Sequence, residues 1–109
     1  MRVSIVRQGG FAGLTTATTL DSAALAADGE AELRRLVEGA GVFELPEGRA
    51  AARQPDRFGY ALTVEDGERR RTVRLAEEEL PPAVRSLISW VERAPGRQRQ
   101  ARPPGAAPA

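Results

Sequence analysis

The sequence predicts an α+β domain: a four-stranded, mostly antiparallel sheet with its helices packed on one face, in the order β-β-α-β-β-α. Three observations carry that prediction. Phe58, Tyr60, Leu62 and Val64 alternate with Gly59, Ala61, Thr63 and Glu65, and Asp66-Gly67 follows at once, the pattern of a half-buried strand entering a tight hairpin. Leu33, Leu36, Val37 and Ala40 recur at i, i+3, i+4 and i+7, which places one apolar stripe along a helix. Finally, the glycine-rich stretch Gln8-Gly9-Gly10-Phe11-Ala12-Gly13 separates two β-like segments, as a hairpin connection with unusual backbone angles would.

Arg2–Arg7 is the first strand segment, with Val3, Ile5 and Val6 as its β-branched members. Leu14–Leu20, rich in Thr, suits a half-exposed second strand paired with the first. Asp21 is placed to cap a short turn. The first helix is expected over Asp28–Ala40, with Asp28 as its N-cap, Glu30 and Glu32 near the positive end of the dipole, and Gly39 or Gly41 at its C-terminal cap. Val42, Phe43 and Leu45, closed by Pro46, are expected to tuck under the helix end as core. Glu47–Asp56 is a long connection, and long ordered loops are often functional.

Counting outward from Asp66-Gly67 as the two turn residues pairs Leu62 with Arg71 and Tyr60 with Val73, keeping the apolar side chains on one face. The Arg69-Arg70-Arg71 run then sits beside Glu65, Asp66 and Glu68, a charge-balanced hairpin tip rather than a phosphate patch. A second helix begins at Pro82 and turns Val84, Leu87, Ile88 and Val91 inward, with Trp90 at the edge of that face. Residues 1–93 read as a single domain. Ala94–Ala109 holds four prolines, two glycines and three arginines with no acid and no periodicity, and reads as a disordered tail.

With 109 residues, 41% hydrophobic and 28% charged, the composition is that of an ordinary soluble domain. A net charge of +1 argues against nucleic acid and membrane as partners. No stretch is a signal peptide or a membrane span, so a cytoplasmic location is expected. The absence of Cys and His removes thiolate chemistry, the commonest general base and the commonest metal ligand. Glu77-Glu78-Glu79 is a solvated charge run rather than a cation site. The glycine-rich stretch joins two strands and does not open a helix, so it is no phosphate-binding loop. No enzyme activity and no cofactor are expected.

Running the first strand upward puts Gly9–Gly13 at the top. The second strand then runs down, and the Asp28 helix returns upward to end near Gly41; if the third strand starts where that helix ends, Glu47–Asp56 and Glu77–Pro82 cluster at the top too, with the tight turn pointing the other way. Loops presented together at one end suit a binding module. Phe11, a large apolar residue at the loop's tip, either closes the core or is held out for a partner.

The stretch Val3–Val6 followed by Arg7-Gln8-Gly9-Gly10-Phe11-Ala12-Gly13, the helix end Leu36–Pro46 and the hairpin Asp56–Gly67 resemble the emfourins, small protein inhibitors of thermolysin-like (M4) zinc metallopeptidases such as protealysin. The resemblance covers about residues 1–92. It implies reversible blockade of an active site by a folded domain, with an M4 metallopeptidase as partner and a monomer when free. Gly9, Gly10, Phe11, Ala12 and Gly13 are the candidate partner-binding residues, with Arg53 and Asp56 as a second contact from the same end. The alternative is an interaction module or adaptor subunit with no peptidase target.

Overall fold

The first strand of the chain, β1 (Arg2–Gly9), is the centre of the sheet. In the computed structural model, which describes residues 1–9, 15–46 and 58–102, β1 pairs antiparallel on one side with β2 (Thr15–Asp21) and on the other with β3 (Phe58–Asp66). β4 (Arg69–Ala76) pairs with β3, and β5 (Gln98–Arg102) pairs with β2, giving the order β4-β3-β1-β2-β5 with every pair antiparallel. Among the described residues the sheet therefore has five strands, not the expected four. The extra one comes from the segment read as a disordered tail. β5 lies at an edge and its Gln98, Arg99 and Gln100 are all exposed, so it has no apolar alternation for the sequence to display.

Inward-facing side chains fall on one parity. Val3 and Ile5 of β1, Thr18 and Leu20 of β2, Leu62 and Val64 of β3, and Val73 of β4 are all buried. Against them pack α1 (Ala27–Ala40), through Leu33 and Val37, and α2 (Pro82–Arg93), through Val84, Leu87, Ile88 and Val91, in one continuous core. The opposite face is polar: Arg2, Ser4, Thr63, Glu65 and Arg70 line a shallow depression on it, and the Thr63 and Thr72 hydroxyls share a hydrogen bond of 2.9 Å. Helices on one face and an open polar face are thus as expected.

Three local expectations are corrected. The N-cap of α1 is Ala26, which makes no side-chain cap, while Asp28 and Glu30 lie in the first turn. There their charges still complement the helix dipole. At the other end, Gly41 takes the left-handed cap with φ +62. The β3–β4 register is shifted by two: Asp66 pairs with Arg69, Leu62 with Val73 and Tyr60 with Leu75. The reason is the turn type. Only Gly67 has positive φ (+63), so Gly67-Glu68 are the central residues, whereas centring the turn on Asp66-Gly67 as type I′ would force Asp66 into the left-handed region. A shift of two preserves the faces and sets Leu62 directly against Val73.

The third correction is the course of α1. It does not return toward the Gly9 end. Ala24, just before it, lies beside Gly96 near the β2–β5 edge, Arg34 reaches Asp66 at 3.4 Å, and Phe43, just after it, meets β4. Arg71 Nη2 donates to the Phe43 carbonyl at 2.9 Å, and the Arg69 guanidinium sits 4.2 Å from the centroid of the Phe43 ring. α1 thus crosses the sheet at its Asp66 end. The connection after Pro46 starts from that end, and Phe58 stands at the other. The charged hairpin tip is balanced as expected, Arg69 on Asp66 at 3.2 Å and Arg70 on Glu65 at 3.3 Å.

Candidate functional site

Four strand ends lie at one end of the sheet, a margin termed the Gly9 edge. β1 ends at Gly9, whose φ of 105° is a conformation that side chains rarely adopt. Gly9 lies opposite Phe58, the first residue of β3, while Arg7 lies opposite Thr16 near the start of β2. Gly59 lies opposite Ala76, the last residue of β4, and a 3-10 turn over Glu77–Glu79 follows. The two flanks of the glycine-rich connection, the start of β3 and the acidic turn are therefore neighbours, and the Gly67 turn is at the far end.

Of the residues singled out from the sequence, Gly9 is at this edge. Gly10, Phe11, Ala12, Gly13, Arg53 and Asp56 lie outside the described residues. The structure brings other residues to the edge. Arg7 Nη2 lies 3.7 Å from Glu77 Oε1 and its guanidinium stands 5.8 Å from the Tyr60 ring centroid. Arg85 Nη2 of α2 donates to the Glu77 carbonyl at 3.2 Å. These contacts tie the acidic turn to the centre of the sheet and to α2. The Arg7 and Glu77 side chains are 37% and 39% exposed, so their pairing adds little stability. Burial raises the Tyr60 phenol above its ordinary pKa; the Arg7 charge partly offsets this, and the carboxylates of Glu77 and Glu92 add to it. Tyr60 is therefore neutral here at ordinary pH, an aromatic surface with a hydroxyl rather than an ion.

Arg7 and Tyr60 escaped sequence reasoning, although their parity within β1 and β3 puts them on one face. Glu77 gave no local signal, because its partner lies seventy residues away in the chain. Among the described residues no group of three or more acidic side chains is placed to hold a metal ion, and no helix is long and apolar enough to cross a membrane. Through its described residues the edge offers backbone, an aromatic ring and paired charges. That is the equipment of a binding surface.

No curated protein and no solved structure gives a significant match to this chain. The Emfourin family model does match, over residues 5–92, a span that takes in β2, β3, β4 and α1 whole, most of β1, and α2 but for its last residue. With the greater part of its length matched, the chain belongs to the Emfourin family of protein inhibitors of peptidases.

Proposed function

We propose that this protein inhibits a thermolysin-like (M4) zinc metallopeptidase by lodging the Gly9 end of its sheet in the active-site cleft. Gly9, Gly10, Phe11, Ala12 and Gly13 make the principal contact in this reading, and Arg53 and Asp56 a second one. The observation that supports it most is the pairing of Gly9 with Phe58. It puts Gly9, where β1 ends, beside Phe58, where β3 begins, on strands held by hydrogen bonds along their length. A blocking loop must enter a cleft without adapting to it as a substrate does. Mounting it on a central strand lowers the ordering cost of binding. Phe11 is the apolar anchor in this reading, suited to the bulky apolar pocket of such peptidases.

The test is titration of a purified M4 peptidase with the wild-type chain and with Phe11→Ala. Inhibition by the wild type is expected, and loss of the anchor should weaken it by about 2 kcal/mol or more, with little change in melting temperature. A Phe11→Ala chain destabilised by about 3–5 kcal/mol that still inhibits at full strength when folded would make Phe11 a core residue and remove it from the contact.

A further inference from the structure

Residues 94–102 lie beyond the span that matches the family, yet they are built into the fold. Ala94 is 3% exposed and belongs to the core. Gly96 turns the chain with φ +81, and a Cβ there would stand 3.0 Å from Ala24 Cβ and 3.2 Å from the Ala24 carbonyl oxygen, so the turn is seated against the 3-10 turn Ser22–Ala24. Arg97 Nη1 donates to the Ala94 carbonyl at 3.0 Å across this corner. β5 then runs back along β2, from Gln98 opposite Thr19 to Arg102 opposite Thr15.

Without β5, β2 would be an edge strand with one row of unpaired backbone groups. Its other supports are the β1 ladder, which runs from Asp21 to Thr16 and stops short of Thr15, and two buried side chains, Thr18 and Leu20. β5 meets it through backbone, with Gln98, Arg99 and Gln100 exposed, and pairs with it as far as Thr15, where the chain re-enters the sheet at the Gly9 end. Charged and polar side chains on an outer strand discourage pairing with a further chain.

We propose that residues 94–102 are a brace that fixes β2 up to Thr15 and thereby sets the affinity of the Gly9 end for its peptidase, an inference that rests on the inhibitory reading above. A β2 held on both sides enters the complex already ordered, whereas a frayed one must be ordered on binding.

The test uses the full chain in three forms: wild type, Arg99→Pro with Gln100→Pro, and Arg99→Ala with Gln100→Ala. Backbone N–H groups alternate in direction along a strand, so one of two adjacent prolines must strike the β2 ladder. The alanine pair removes the same side chains and keeps the ladder. Hydrogen exchange of the Thr15–Thr19 amides and inhibition of an M4 peptidase are measured on each. The proline pair is expected to speed β2 exchange by about tenfold or more and to raise the inhibition constant by about tenfold, with the alanine pair close to wild type in both. Undiminished β2 protection in the proline pair overturns the brace. So does lost protection with unchanged inhibition, and so does an alanine pair that inhibits as weakly as the proline pair, which would make the side chains direct contacts. A wild-type chain that inhibits no M4 peptidase would defeat the inhibitory reading and with it the effect on affinity, and the exchange comparison would still decide whether β5 holds β2.

Discussion

Leu62→Ala tests the assignment of the sheet's two faces. Leu62 is 1% exposed and sits between Ile5 on β1 and Val73 on β4, in the middle of the layer that the helices cover. The change removes roughly three methylene equivalents at about 0.8 kcal/mol each. The backbone there is held by ladders on both sides and collapses little into the space, so a cavity cost adds, for a total of about 2–5 kcal/mol. For a domain of this size each kcal/mol lowers the melting temperature by roughly 4–8 °C, so a drop of at least about 8 °C is expected. The internal control is Thr63→Ala, one residue along and on the open face, where the loss is a hydroxyl pairing with Thr72 at 2.9 Å and the expected cost is about 1 kcal/mol. Calorimetry or urea unfolding of both variants reads the contrast. Equal destabilisation, or a Leu62→Ala chain that melts within a few degrees of the wild type, would refute the division into a covered and an open face.

Two further substitutions probe local features. Gly39 lies in the last turn of α1 with open space around it, so Gly39→Ala should stabilise the chain by about 0.4–1 kcal/mol, read as a raised urea midpoint at unchanged slope. Asp66 is held below the ordinary carboxylate range, chiefly by its hydrogen bond from Arg69; burial opposes this, and the charges of Arg34, Arg69 and the N-terminus add to the lowering. A carboxylate whose pKa is lowered by folding adds stability above its unfolded pKa, and that stability is lost as pH falls through the folded value. Asp66→Asn should therefore cost stability at neutral pH and flatten the acid limb of the stability curve. An acid limb identical to that of the wild type would show that the carboxylate contributes nothing to it.

The elements with a packed face were legible in the chain because burial imposes a period. The alternation from Phe58 to Val64 located Leu62 and Val64 in the core, and the 3.6-residue recurrence of Leu33 and Val37 located α1 within one residue at its start. The glycine-rich stretch pointed to an end of the sheet because Gly9 is needed for a backbone angle, a local property. The tie of Arg7 to Glu77 was not legible, since neither residue is buried enough for its neighbours to betray it.

The sequence by itself determined four of the strands, β1 to β4, and both helices, which of their faces turn inward, and that a glycine-rich connection follows the first strand. These are consequences of side-chain periodicity and local backbone sterics, both written in adjacent residues. Only the tertiary structure decided the order β4-β3-β1-β2-β5, the path of α1 across the Asp66 end and the recruitment of Gln98–Arg102 as a fifth strand. Strand order depends on which unpaired edges meet once the core has formed. A polar edge strand such as β5 is held by hydrogen bonds to a distant partner, and backbone hydrogen bonds leave no mark on the sequence.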